Sequence, residues 1–254
     1  MSGPAFSDVR RFETIDSTNR YLMDEARRGA AAGLVAVADH QSAGRGRLGR
    51  RWEAPPGSAL LASVLLRPEL APDDLYLCTA LVALAGADAC VETAGVAPEL
   101  KWPNDLLVGD RKLGGVLAEW DPGAPGGTPS SVAVVVGIGI NLDWPGPEGA
   151  GGVSLAEVAD PPRRDDLLTV LLERVATRYG SLGDEVGRAA LAAELQVRCS
   201  TVGRRVRVEL SAGPLVGQAV GLDACGRLLV DGDDGRRHGI AAGDVVHLRP
   251  AAAG

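Results

Sequence analysis

The chain has 254 residues, 46% hydrophobic and 23% charged, with a net charge of −7 and a pI near 5.1. That length can bury a real core and has room for a large domain plus a small one, in the proportions of a globular protein. The acidic balance argues against nucleic-acid binding as the main task, and no basic-then-apolar leader opens the sequence.

In chain order, Asp16-Ser17-Thr18-Asn19 reads as an N-cap opening an amphipathic helix within residues 14–29 that carries Tyr21, Leu22 and Ala26. Residues 34–38 form a short apolar strand. Residues 59–66 are β-prone or mixed and end at Pro68. Asp73-Asp74 are expected to cap a long apolar helix with Leu77, Leu81 and Leu84. Its weakly charged run, 76–91, is broken by Asp88, falls short of the ~20 residues a bilayer needs, and reads as a buried helix. Pro103 makes a central regular strand unexpected at 100–108, Gly109-Asp110 turn a hairpin, and 112–120 reads as a buried strand. Residues 122–131 are a Gly/Pro/Ser loop, 132–142 the clearest strand, 144–152 a flexible loop, and 165–179 and 188–197 helices. After about Ser200, short alternating runs separated by turns such as Asp223-Ala224-Cys225-Gly226 read as a small all-β unit. An isolated core of that size is marginal, so the unit should depend partly on docking to the larger domain.

Cys78, Cys90, Cys199 and Cys225 form no CxxC pair, and the first two fit small buried hydrophobes in a core helix. A reducing cytoplasm suits this usage better than a disulfide framework. His40, His238 and His247 are far apart and suggest no metal cluster.

The most informative stretch is Gln41-Ser42-Ala43-Gly44-Arg45-Gly46-Arg47-Leu48-Gly49-Arg50-Arg51-Trp52. Four arginines within seven residues of an acidic chain, interleaved with glycine, point to an anion held close to the main chain, most simply a phosphate. A solvated basic turn with no ligand is the competing reading. Gly44 to Gly49 also spell GxGxxG, but Pro55-Pro56-Gly57 follow where a dinucleotide fold needs a helix. No GxxxxGK[ST] is present, which excludes a P-loop.

Three more segments accompany this loop: Lys101-Trp102-Pro103-Asn104-Asp105, Arg111-Lys112-Leu113-Gly114-Gly115-Val116-Leu117-Ala118-Glu119, and Gly137-Ile138-Gly139-Ile140-Asn141. With Asp16-Ser17-Thr18-Asn19 they stand in the order seen in biotin–protein ligases, and the chain resembles that family from about Phe12 to Asn141 by motif and to the end by architecture. The resemblance implies an α+β fold: a core like that of class II aminoacyl-tRNA synthetases, a mixed sheet with flanking helices over residues 1–199, then a small SH3-like β-barrel over 200–254. Some members carry an N-terminal winged helix-turn-helix and repress transcription. The short segment before Ser17 cannot hold one, so a monofunctional type without operator binding is expected.

The activity implied has two steps. The biotin carboxylate attacks the α-phosphorus of ATP, giving biotinyl-5′-AMP and pyrophosphate, and a lysine of a biotin carboxyl carrier domain of an acyl-CoA carboxylase then displaces AMP. An ionised carboxylate needs no general base, so positioning and charge neutralisation carry the catalysis.

By resemblance Lys112 lies between the biotin carboxylate and the α-phosphate. Arg45 and Arg47 hold phosphates and adenylate, Gly44 and Gly46 permit close main-chain approach, and Arg50 is a further phosphate candidate. Such a loop, with like charges and loose glycines, is expected to be mobile when empty and ordered by ligand. Ser17, Thr18 and Gln41 suit the polar groups of biotin, with helix capping the alternative for the first two and Asn19 a further candidate. Gly115 and Leu117 offer backbone and an apolar wall, and Gly137 and Gly139 leave room for the ring. Trp52 either flanks the pocket or packs in the core. Asn104 is the adenine contact, since an amide donates and accepts. Asp105 either serves the incoming amine or makes a structural hydrogen bond, Lys101 supports the site electrostatically, and Asn141 either contacts the nucleotide or caps its strand. Magnesium is expected with ATP and without a dedicated protein cage, so no metal residue is named. No DNA or membrane partner is expected, and the chain is taken as monomer or homodimer. A lipoate–protein ligase and a catalytically silent biotin sensor are the alternatives. The GRGR loop and the 101–105 segment look like the biotin enzymes, and retention of Lys112 with both loop arginines argues against a silent sensor.

Overall fold

The computed structural model describes residues 4–121, 132–147, 149, 151–210, 213–241 and 243–248. The loop expected over 122–131 lies outside the described residues, as do 148 and 150 of the loop expected over 144–152.

The elements run β1 (Asp8–Ile15), α1 (Thr18–Arg27), β2 (Leu34–Gln41), β3 (Ala59–Leu66), α2 (Tyr76–Ala94), β4 (Glu99–Lys101), β5 (Asp105–Val108), β6 (Arg111–Asp121) and β7 (Ala133–Asn141). Then come α3 (Arg164–Ser181), α4 (Glu185–Arg198), β8 (Arg205–Glu209), β9 (Leu215–Leu222), β10 (Leu228–Gly232), β11 (Arg237–Ile240) and β12 (Asp244–His247). Strands β1 to β7 form one mixed sheet in the order β1-β2-β3-β7-β6-β5-β4, in which only β1 and β2 pair parallel.

Helices cover both faces of this sheet. In β3, Leu60, Ala62, Val64 and Leu66 face the main core with α2, while Leu65 packs under α1 with Leu22, Met23 and Ala26. All eight residues of β3 are therefore buried, and no polar alternation marks it as a strand. Helix α2 is buried along most of its length and shows no amphipathic stripe for the same reason. The apolar helical stretch extends over Pro72–Ala94, longer than the 76–91 run and long enough by composition to cross a membrane. Here it is a core helix packed against the sheet, α3 and α4.

One charged cluster ties these helices together. Arg178 of α3 donates to Glu194 of α4 at 2.6 Å and also pairs with Asp88 of α2, and Arg198 reaches Asp88 at 2.5 Å. Burial alone would raise the Asp88 carboxyl, but the two arginine hydrogen bonds outweigh it and hold the group below its ordinary value.

One expectation needs correction. Asp73 and Asp74 do not cap α2: they sit in a separate 3-10 turn, Pro72–Asp74, and the N-cap position is Leu75, which makes no side-chain cap bond. The expected small β unit is present: its strands form a five-stranded antiparallel sheet in the order β11-β10-β9-β8-β12, with no β11–β12 ladder among the described residues. Its apolar residues, including Val206, Val208, Ala219, Leu228 and Val230, belong to the same core cluster as α2 and the large sheet, in line with the expected dependence on docking.

Strand β1 was not expected. It is an edge strand, mostly exposed and rich in charge, so neither apolar content nor clean alternation gives it away. At 100–108 the chain forms two short strands around a turn with a cis Trp102–Pro103 bond, matching the irregularity that Pro103 implied.

Candidate active site

A cavity of about 340 Å³ opens where β2, β3, β6 and β7 meet the arginine loop and the edge of the C-terminal sheet. Its floor is the centre of the large sheet. Gly137 and Gly139 of β7 are required there. A Cβ at Gly137 would strike Asn19 Oδ1, and one at Gly139 would lie 2.7 Å from the Trp52 ring. These glycines leave room first for the protein's own Asn19 and Trp52, which then wall the cavity.

At one end is a polar network on the N-terminus of α1. Ser17 is the N-cap and accepts from Arg20 N. Gln41 Oε1 accepts from Thr18 N at 2.8 Å and from Thr18 Oγ1 at 3.0 Å. Ser63 Oγ lies 2.7 Å from Thr18 Oγ1 and 2.6 Å from Asn19 Oδ1. Asn19 Nδ2 donates to Leu117 O at 3.1 Å and Glu119 Oε2 at 2.9 Å. Both ends of the Asn19 amide are thus engaged by protein, which makes it a strut between α1 and β6. The Trp52 indole N–H is buried in the cavity wall with no partner, a donor available to a ligand.

Cationic side chains line the rest of the wall, and Arg45 meets the polar network at Glu119 Oε2, which also accepts from Asn19. Lys112 Nζ, on β6, donates to Asp105 Oδ1 at 2.5 Å and stands 5.5 Å from the centroid of the Trp52 ring. Lys101 is partly buried, and burial lowers its ammonium, with Asp105 opposing and Lys112 adding to the shift. Arg45, Arg47 and Arg50 all face the cavity, and each is held by an oxygen of the chain itself. Arg45 pairs with Glu119 at 2.8 Å, Arg47 donates to Gly243 O at 3.2 Å, and Arg50 pairs with Asp244. Burial lowers the Arg47 guanidinium from its ordinary value. Leu48, at the loop tip, is exposed and adopts φ 55, a left-handed conformation uncommon for a residue with a side chain.

The cavity therefore brings together Ser17, Thr18, Asn19, Gln41, Arg45, Gly46, Arg47, Arg50, Trp52, Asn104, Asp105, Lys112, Gly115 and Leu117. Two expected residues stand apart from it. Gly44 is needed by the loop itself: its carbonyl accepts from Trp52 N at 3.0 Å, and a Cβ there would strike the Trp52 carbonyl oxygen. Asn141 Nδ2 donates to Val153 O at 2.9 Å and to Lys112 O at 3.4 Å, so it pins the following loop onto β6. Asn104 does line the cavity and gives its Nδ2 to Val116 O at 2.7 Å.

Three residues of the site were missed. Glu119 lies inside a quoted motif but had no partner visible in sequence. Ser63 is a lone hydroxyl within the apolar run of β3, and that anomaly was the available signal. Asp244 comes from a β unit more than 190 residues beyond Arg50 in sequence, and nothing local announces it. Cys78 and Cys90 stay outside the site, and burial pushes both thiols up to about 12, which leaves them without nucleophilic character.

Residues 11–141 match the Biotin/lipoate A/B protein ligase family, and residues 201–248 match the Biotin protein ligase C terminal domain. The chain is 37% identical over 243 residues to the biotin–[acetyl-CoA-carboxylase] ligase of Mycobacterium tuberculosis, covering 92% of this chain and 86% of that protein. It is 30% identical to the enzyme of the same name from Paracoccus denitrificans, over 87% of this chain and 93% of that one. Among solved structures it resembles the biotin protein ligase from Aquifex aeolicus in complex with biotin and ATP, with a TM-score of 0.79 at 24% identity over 95% of this chain and 100% of the other. The shared sequence over most of its length, together with the common fold, makes this chain a member of the biotin protein ligase family.

Proposed function

We propose that this chain attaches biotin, at the expense of ATP, to a lysine of the biotin carboxyl carrier domain of an acyl-CoA carboxylase. One observation carries the reading: a single cavity is lined by the polar groups of Ser17, Thr18, Asn19 and Gln41, floored by Gly137 and Gly139, and faced by Lys112 and the arginines of the loop.

In the first step a carboxylate oxygen of biotin attacks the α-phosphorus of ATP and the bond to pyrophosphate breaks. Two anions must meet. Lys112 offsets their repulsion and stabilises charge on the phosphate oxygens, while Asp105 holds its ammonium in place. Arg45, Arg47 and Arg50 exchange their present oxygens for phosphate oxygens. Ser17, Thr18 and Gln41 address the polar groups of biotin, with the Gln41 carbonyl held by Thr18. Gly46, Gly115, Leu117 and Trp52 frame biotin, and Asn104 and Asp105 serve the nucleotide. In the second step the amine of the carrier lysine attacks the acyl carbon of biotinyl-5′-AMP, loses a proton, and AMP leaves.

Magnesium enters as Mg-ATP. The carboxylates that line the cavity, Asp105 and Asp244, are committed to Lys112 and Arg50, so the ion leans on phosphate and water. We divide the chain into a catalytic unit, residues 1–199, and a C-terminal unit, residues 200–254. Its four unpaired cysteines suit a reducing cytoplasm, where it acts as monomer or homodimer.

The test is the intact mass of a purified carrier domain after incubation with this protein, Mg-ATP and biotin, with lipoate in a parallel reaction. A gain with biotin that requires ATP supports the reading. A gain with lipoate alone moves the chain to the lipoate branch, and pyrophosphate release without acyl transfer would leave the carrier assignment wrong.

A further inference from the structure

Residues 102–104, which join β4 to β5 and form part of the cavity wall, are held from outside the catalytic sheet. The Trp102 side chain is 2% exposed. Its backbone N–H donates to Thr201 Oγ1 at 3.1 Å, and its indole N–H donates to Gly226 O at 3.0 Å. Thr201 is fully buried, and its Oγ1 lies 3.0 Å from His247 Nε2. A hydroxyl accepts and donates at once, so Thr201 Oγ1 can take the Trp102 N–H and still bond the His247 ring nitrogen. Gly226 has φ +77, and a Cβ there would strike the Tyr76 ring. That ring cannot yield freely, because Tyr76 O–H donates to Pro103 O at 2.7 Å. The turn bearing Asn104 is thus held from Thr201, from the turn at Gly226, and through Thr201 from His247 of β12.

We propose that Thr201 and Gly226 are positioning residues of the nucleotide site. Neither lines the cavity. They fix the segment that presents Asn104 and Asp105, and through Asp105 they steady Lys112. The C-terminal sheet is on this account a working part of nucleotide recognition, acting through Trp102. The inference rests on the proposed use of residues 104 and 105 for the nucleotide.

The effect should fall on one substrate. Thr201→Val keeps the shape of the side chain but leaves the buried Trp102 N–H without its partner and removes the bond to His247. Such a loss should raise the KM for ATP by roughly five- to fifty-fold. In biotin-dependent ATP–pyrophosphate exchange, the KM for biotin should stay within about twofold, because its pocket shares no bond with Thr201. Thr201→Ser should restore the ATP value. Trp102→Phe, which deletes the bond to Gly226 O and trims the buried ring, should move the ATP KM in the same direction and serves if the buried threonine variant does not fold. Asn104→Ala is run beside them. If it leaves the ATP KM unchanged, the nucleotide assignment fails and the inference falls with it. If it raises the ATP KM while folded Thr201→Val and Trp102→Phe do not, or shift both KM values alike, the positioning role is wrong and the nucleotide assignment stands.

Discussion

Replacing Lys112 by alanine should remove most of the adenylation rate. A unit charge about 4 Å from a phosphate oxygen, at an effective dielectric of about 20, is worth about 4 kcal/mol. The Lys112 side chain is 36% exposed, so solvent screening applies. A contribution of about 2–3 kcal/mol to the barrier remains, roughly 30- to 150-fold in rate. The structure adds a second effect. Asp105, 2.5 Å from the ammonium, would lose its hydrogen-bonded cation and keep only the longer-range charges of Lys101 and Arg47 beside two incoming anions. Lys112→Ala should therefore be slower than Lys112→Ala/Asp105→Asn, although the double variant carries one more change. Both are measured as biotin-dependent ATP–pyrophosphate exchange at saturating substrates, with melting curves to confirm the fold. Near-normal exchange by Lys112→Ala would remove the ammonium from the mechanism, and a double variant slower than the single one would refute the charge argument.

Arg47→Gly should weaken retention of biotinyl-5′-AMP, because it deletes a cation facing the cavity along with the loop's bond to Gly243 O; the sign to look for is biotin on bystander lysines of added albumin, and labelling confined to the carrier would contradict it. Gly139→Ala places a methyl 2.7 Å from Trp52 on a strand fixed by its neighbours. Overpacking costs about 1–3 kcal/mol of fold stability, so the melting temperature should fall; with the indole displaced, the calorimetric Kd for biotin should also rise, and an unchanged Kd would show that the indole does not contact biotin. His247 is held down to about 4 from an ordinary 6.5 by burial first and then by the charges of Lys101 and Arg204, with Asp110 opposing. Between those two values the unfolded chain binds a proton that the folded one does not, so stability should fall as pH drops from 6.5 to about 4. His247→Gln should flatten that part of a urea-denaturation series, and an unaltered slope would assign the loss to other groups.

The parts of this molecule legible in sequence are those whose constraint is local. The cap at Ser17, the strand at 133–141 with its two glycines, the arginine loop and Lys112 are all stated by neighbouring residues. Strand β3 and helix α2 were harder, because elements covered on both sides carry no periodic polar face. Strand β1 was invisible for the opposite reason, being exposed and charged at a sheet edge. The site's internal wiring was beyond reach. Sequence identified the arginines, but the partners Glu119, Gly243 and Asp244 lie 74 to 196 positions away. Asn141 and Gly44 looked like ligand contacts because they sit in site motifs. Their bonds go instead to the loop after β7 and to the arginine loop's own backbone, a distinction that only the folded chain can make.

The four arginines that line the cavity each already hold an oxygen of the chain: Glu119 for Arg45, Gly243 O for Arg47, Asp244 for Arg50, and Glu53 with Ser42 O for Arg51. On the proposed role of this loop, an incoming triphosphate competes with these carboxylates and carbonyls, and its net gain is the difference between two sets of polar contacts. The same internal oxygens wait to reclaim each guanidinium when AMP and pyrophosphate depart, which eases the exit of two highly charged products. An enzyme that must let go after every cycle is well served by cations that are never left bare.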